Sequence, residues 1–443
     1  MEFSATSTVS QANMEVYAIV DALNCISGNT SSNRNNDVLR AHTFFSAGQI
    51  KEAESNLLFL EESDPDIYAT MLLNIIILPP DFNGSVAPRL AALLSLKAAI
   101  SRRWINRARR KNLAKIPMFH EKTKSHIRTA LLSLVTCGNM DHTPFYITFE
   151  LSSILANDRS LQASLAFTLS KIVKLDVPFT FHELAPTLVR CTTATIAFDN
   201  FNKTRDSKNI ITVKINAANT LEIVLEEICS KRLLVDKEYV LKLSKNRITI
   251  LATSLIHVMN YLSAGLNSSA FLNSDNFISV TSHAKVLTKI IRHLLLASFT
   301  SLLYSKEQNT EIGAENIENM IDQFFSSVLQ FISLVKTKIS NISVSSNGYM
   351  DLAEELKDLM QEQCQMVINV QKKHAVAFVP IISPFVVFFH KELHCASTRL
   401  DDVINASFLF LAITFLSNVA GCAVYSSDAS SNKTMGIDVI KVR

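Results

Sequence analysis

Residues 161–189 read LQASLAFTLSKIVKLDVPFTFHELAPTLV, and the fold class follows from them. Leu161, Leu165, Leu169 and Ile172 recur at helical spacing and share one face. They predict a helix as far as Leu175, then a break at Asp176, Val177 and Pro178. A second helix is expected through Leu184, Leu188 and Val189. Proline suits the start of that helix, because its missing N–H would go unpaired there in any case. The stretch is therefore one helical hairpin.

The same pattern extends outward in both directions. Leu221, Val224, Leu225 and Ile228 form one stripe, and Val286, Leu287, Ile290, Ile291, Leu294 and Leu295 form another. Helix pairs are expected at 50–62 with 67–78, 87–104 with 122–135, 217–234 with 247–266, and 279–304 with 315–339. A last pair joins 352–374, which carries a proline-broken extension, to 401–419. Polar, Asn- and Ser-rich linkers are expected at 27–37, 136–144, 198–208, 267–276, 306–313 and 340–348. Hairpins repeating at roughly 40 residues or more are the pattern of HEAT-type repeats. The reading is all-α: a HEAT-repeat, armadillo-like α-solenoid of paired antiparallel helices.

Composition points the same way. Only 9 glycines and 10 prolines occur in 443 residues, against averages of roughly 7% and 5%. Sandwiches, barrels and doubly wound sheets need many turns, and turns need those two residues. At 48% hydrophobic residues there is ample apolar surface to bury, and a net charge of +3 gives no overall bias toward nucleic acid. The seven cysteines, at 25, 137, 191, 229, 364, 395 and 422, are scattered and form no CxxC pair. That pattern suggests a reducing compartment rather than a disulfide framework or zinc ribbon. Residues 1–12 have no apolar h-region, so no secretory signal is read.

Phosphate-cradling and nucleophile-elbow motifs are absent from the sequence: there is no GxxxxGK[ST], GxGxxG or GxSxG. The expectation is a protein that is not an enzyme and has no catalytic residue, cofactor or metal. His390 and His394 stand at i and i+4, a spacing able to hold zinc on a helix. They lack the Glu of HExxH and follow an apolar stretch, so they are read as the start of a polar turn. The uncharged segment 408–424 approaches membrane-spanning length. Asn405, Ser407, Thr414, Ser417, Asn418 and Gly421 punctuate it and no basic residues flank it, so it reads as a buried helix. The stretch 351–362, DLAEELKDLMQE, is an amphipathic helix with an acidic outer side.

Residues 89–104, RLAALLSLKAAISRRW, carry the most informative pattern. Lys97 interrupts a stripe of Leu90, Leu93, Ile100 and Trp104. A lysine there must snorkel to water or meet an acidic partner. The densest basic run follows: Arg102, Arg103, Arg107, Arg109, Arg110, Lys111 and Lys115. It suits an acidic protein surface, RNA, a localisation signal or simply a solvated loop. Trp104 is the one aromatic beside it, which gives little basis for stacking nucleic-acid bases. Arg102, Arg103 and Arg107 are the candidates for an acidic-partner contact.

These segments, taken in order, resemble the importin-β family. Residues 51–76, KEAESNLLFLEESDPDIYATMLLNII, are similar to its first helices, and Leu96, Lys97, Ile100 and Trp104 match its LK-x-x-I-x-x-x-W pattern. HEKTKSHIRTALLSLV at 120–135, the 161–189 hairpin and SKRLLVDKEY at 230–239 most resemble the importin-eleven branch. The resemblance divides the chain into an N-terminal helix and polar loop at 1–49, an importin N-terminal domain at 50–137, and further HEAT-type repeats at 138–443. It also implies a right-handed superhelix and a chain that is part of a longer receptor.

Function follows from the resemblance in the same way. It implies a nuclear transport receptor that grips Ran in its GTP form through Lys97 and Trp104. Protein cargo and Phe-Gly nucleoporins would be the other partners, with no direct nucleic-acid contact and no membrane insertion. The protein would shuttle between cytoplasm and nucleus, including the nuclear envelope and its pores. The alternative function is a generic cytosolic HEAT or armadillo scaffold.

Overall fold

The computed structural model describes residues 47–77, 86–105, 117–136, 157–177, 179–193, 206–230, 234–268, 275–304, 311–342, 350–396, 403–422 and 424, with isolated positions 19, 22, 23 and 154. Every regular element among them is helical. The helices are α1 (Ala47–Ser63), α2 (Pro65–Ile77), α3 (Val86–Arg103), α4 (Glu121–Thr136), α5 (Arg159–Asp176), α6 (Leu184–Thr193) and α7 (Asp206–Ser230). They continue as α8 (Leu234–Asn267), α9 (Asp275–Tyr304), α10 (Glu311–Ile342), α11 (Met350–Lys373), α12 (Ala375–Ala396) and α13 (Val403–Ala420).

The chain forms two compact units. One comprises residues 1–184 with 219–227, and the other 185–218 with 228–443. In the first, α2 packs on α1, α3 and α4, while α5 packs on α3 and α4. In the second, α9 packs on α8 and α11, α10 on α8 and α11, and α13 on α11 and α12. These contacts join helices one or two places apart in the sequence.

Local chemistry sets the helix boundaries. Asp64 caps α2, its Oδ1 accepting from the backbone N–H of Asp66 at 3.1 Å and of Ile67 at 3.0 Å. Pro65 follows at the first helical position, where no N–H is needed. At the other end of α2, the buried Arg89 donates from Nη1 to the Ile76 carbonyl at 2.8 Å, satisfying an acceptor the helix leaves open. Asp158 caps α5 through the N–H of Leu161 at 2.8 Å.

Packing supplies most of the stability. Leu161, Leu165, Leu169 and Ile172 are all buried, as are the stripes of α7 and α9 named above. Full burial of one such side chain contributes roughly 1.5–3 kcal/mol, whereas an exposed ion pair contributes about 1 kcal/mol or less. In the second unit, Phe299, Phe325, Phe378, Phe385, Phe389 and Phe415 form a chain of ring contacts through α9, α10, α12 and α13. Where α8 meets α9, Gly265 faces the Phe277 ring so closely that an added Cβ would lie 2.3 Å from it.

Several expected boundaries move. The hairpin predicted to resume at Pro178 resumes at Leu184, after turns at 179–180 and 182–183. The helix expected from 217 begins at Asp206, and its partner begins at Leu234 rather than at 247. The polar stretch 235–246 stays helical because Val240 and Leu243 continue the buried stripe onto Ile248. Likewise α10 runs from Glu311 to Ile342 and takes in parts of two expected linkers.

The proline-broken extension is a continuous helix, α12, with Pro380 and Pro384 inside it. Both prolines lie on its exposed side, where water can satisfy the carbonyls that lose their partners. His390 and His394 accordingly sit in the last turns of this helix and not in a turn after it. The N-terminal segment and the 27–37 loop lie outside the described residues, except that Ile19, Ala22 and Leu23 are helical, with Ile19 and Leu23 buried.

Candidate functional site

The residues singled out in 89–104 converge where α3 meets α4 and α5. Lys97 lies half-buried on α3 with its Nζ 5.3 Å from the centroid of the Phe167 ring on α5. Phe167 is itself 49% exposed. The lysine stem covers apolar surface while the ammonium rests on an aromatic face at the rim. This is the snorkelling arrangement, and it keeps the charge at the surface.

Trp104 is placed quite differently. It is only 1% exposed, and its indole N–H donates to Asp176 Oδ1 at 2.8 Å. Phe119 meets the ring edge-on at 6.2 Å, and the Arg128 guanidinium lies 5.3 Å from its centroid. Arg128 Nε also donates to Asp176 Oδ2 at 2.7 Å. Asp176 ends α5, where the helix dipole disfavours an anion. The indole, from just past the end of α3, and the guanidinium, from the middle of α4, offset that cost. The sequence showed Asp176 only as a break, because its partners lie 72 and 48 residues away.

Arg102 and Arg103 are engaged inside the chain. Both donate from Nε to Oε1 of the buried Glu61, each at 2.9 Å. Burial alone would raise the Glu61 carboxyl, but the hydrogen bonds and charges of the two arginines hold it below the usual carboxylate range. Burial and that carboxylate together push the neighbouring Tyr68 phenol up to about 12. Arg103 is 6% exposed, whereas Arg102 keeps a side chain that is 47% exposed. Of the three expected acidic-partner contacts, Arg102 is therefore the one that is both described and accessible. Arg107 and the remainder of the basic run, 109–115, lie outside the described residues.

The second unit carries a different surface. Lys285 of α9 lies 2.9 Å from Glu355 and 3.2 Å from Asp358 of α11, and Arg292 pairs with Glu362. Beside this ladder runs an open groove of about 740 Å³, with Gln361 and Gln365 on α11 and the exposed Phe410 on α13. The acidic stretch 351–362 thus spends part of its charge on α9. His390 and His394 have no third ligand: among the described residues, no three His, Cys, Asp or Glu side chains stand close enough to hold a metal ion.

Among the described residues, three helices are long and apolar enough to cross a membrane: Leu234–Asn267, Asn276–Leu303 and Ala375–Cys395. The segment suspected from the sequence is shorter, an apolar helix at Ala406–Ala420. Phe408, Ala412, Phe415 and Val419 of that helix are buried.

No protein-family profile matches this chain, and no curated protein matches its sequence.

Proposed function

We propose that this chain is a nuclear transport receptor of the importin-β type, built as a HEAT-repeat α-solenoid and binding Ran in its GTP form. The observation that carries the proposal is the packing order. In each unit the larger helix contacts run mainly between helices one or two places apart in the sequence, as they do in stacked helical hairpins. The resemblance at Leu96, Lys97, Ile100 and Trp104 adds the functional content. Lys97 presents an ammonium at the rim of α3, and Arg102 presents a second accessible cation five residues on. Both suit an acidic protein surface. Trp104 serves this surface from beneath, fixing the end of α3 rather than touching a partner. Protein cargo and Phe-Gly nucleoporins complete the proposed partners, with the protein moving between cytoplasm and nucleus through the pore.

The test is retention of the purified chain on immobilised Ran loaded with GTP and, separately, with GDP. Selective retention by the GTP form is expected, and Lys97→Glu should weaken it about tenfold or more by placing like charges opposite one another. Equal or absent binding by a folded sample overturns the transport reading.

A second reading is a cytosolic helical-repeat scaffold that never meets Ran. What favours it is the internal engagement of Trp104 by Asp176 and of Arg103 by Glu61. Those contacts withdraw two of the candidate contact residues from the surface.

A further inference from the structure

Within the second unit, residues of α6, α7 and α9 bring an unusual set of side chains together. His283 of α9 is 1% exposed; its ring nitrogens make no well-formed hydrogen bond, although the Thr192 backbone of α6 lies close enough to favour the protonated ring. The Thr192 hydroxyl, also buried, has no hydrogen-bond partner. Lys214 of α7 is 5% exposed, and its charge acts on both the His283 ring and the thiol of Cys191 on α6. Burial, reinforced by that charge, pushes the ring down to about 4, while burial lowers the lysine to about 8.

Other charges lie elsewhere around α9. On its α11 side, Ser282 and Lys285 engage Glu355 and Asp358. On its α8 side, the Tyr261 ring meets Phe277 at a tilt, 6.2 Å between centroids. Contacts with α10 and α12 come further along, where Phe299 meets Phe325 and Phe378. Arg190 acts on Cys191 from within α6. Among the described residues, Lys214 is the only charge that acts on the ring, so no carboxylate is in place to receive an imidazolium.

We propose that this junction is an acid-released latch: a proton on His283 separates α6 from α9 and bares Cys191. The buried ring can stay only as the neutral form, because a second cation beside Lys214 would have neither solvent nor counter-charge. Once the junction opens, the ring returns to its ordinary value near 6.5 and takes up a proton. The open form therefore binds more protons between about 6.5 and 4, and acidification through that window favours opening. Above it the latch is closed. Cys191 is half-buried in the closed state, and its position on α6 makes its thiol a direct reporter. The proposal does not involve Ran and stands or falls independently of the transport reading.

The experiment uses the full chain and 4,4′-dithiodipyridine, which labels thiols at acid pH, with the modified peptides identified by mass spectrometry. Labelling of Cys191 should rise tenfold or more, in order of magnitude, between pH 7 and pH 4.5, while far-UV circular dichroism keeps its helical signal. His283→Gln should remove the rise, and Lys214→Met should move it to lower pH by relieving the like-charge repulsion. A flat profile overturns the latch, as does an undiminished rise in His283→Gln. Loss of the helical signal over the same range also overturns it, because the event is then general unfolding. If His283→Gln does not fold, the Lys214→Met shift and hydrogen exchange of α6 amides against pH decide the matter in its place.

Discussion

Asp176 shows how much one residue can hold. Its carboxylate is buried at the end of α5 and receives the Trp104 indole and the Arg128 guanidinium. Asp176→Ala takes the acceptor from the indole and leaves Arg128 only the more distant Glu121, and breaking such a pair costs about 3 kcal/mol or more. Trp104→Phe removes only the indole N–H and keeps most of the ring, so about 1–2 kcal/mol is expected. The two effects should be far from additive, since both act on one carboxylate. Urea denaturation of the single and double variants measures this directly, and an additive pair would mean that the contacts are independent. The residue scale is also where the sequence was least legible. Lys97 could be read as a snorkelling lysine from its place in a leucine stripe. Nothing in the sequence showed that Trp104 faces inward, that Glu61 gathers two arginines, or that Thr192, Lys214 and His283 meet. Side chains tens of residues apart come together only through packing that a single sequence does not display.

At the scale of elements, the helical stripes were legible and the helix ends were not. Leucine and isoleucine periodicity located the cores of α5, α7 and α9, because burial of one face is what holds those helices in place. The ends at 206–216 and 235–246 mix charged residues with apolar ones such as Ile211, Val240 and Leu243, and the charges hid the continuing stripe. The two prolines of α12 misled the reading, because their cost depends on which side of the helix they face. The α8–α9 contact gives a sharp prediction at this scale. Gly265 leaves room for the Phe277 ring, and Gly265→Ala should force the ring or the helix aside. Overpacking of this kind costs about 1–3 kcal/mol, despite alanine being the better helix former. Phe277→Leu should recover part of that loss when combined with Gly265→Ala. A thermal melt of the three variants reads the outcome, and a Gly265→Ala protein as stable as the parent would mean the two helices separate freely.

For the molecule as a whole, the all-helical character of the described residues was legible from a composition poor in glycine and proline. Repeat architecture and partners were not, since any stacked set of amphipathic helices satisfies the same periodicity. Three helices also have the length and apolar content of membrane spans, so amphipathic packing and membrane insertion make different predictions for the same sequence. A receptor that moves between cytoplasm and nucleus should remain in the aqueous phase on Triton X-114 partition, with its helical signal intact and without detergent. Recovery in the detergent phase would overturn the transport proposal whatever the Ran experiment gave.

The meeting of Trp104, Arg128 and Asp176 also bears on how this protein can change through descent. Three positions on three separate stretches of chain answer to one carboxylate, so selection acts on them as a single inherited character. A lineage that replaces Asp176 with an apolar residue leaves the arginine at 128 with only the more distant Glu121, so a change at 128 should accompany it. Among descendants of this chain, the three letters should be kept together or lost together.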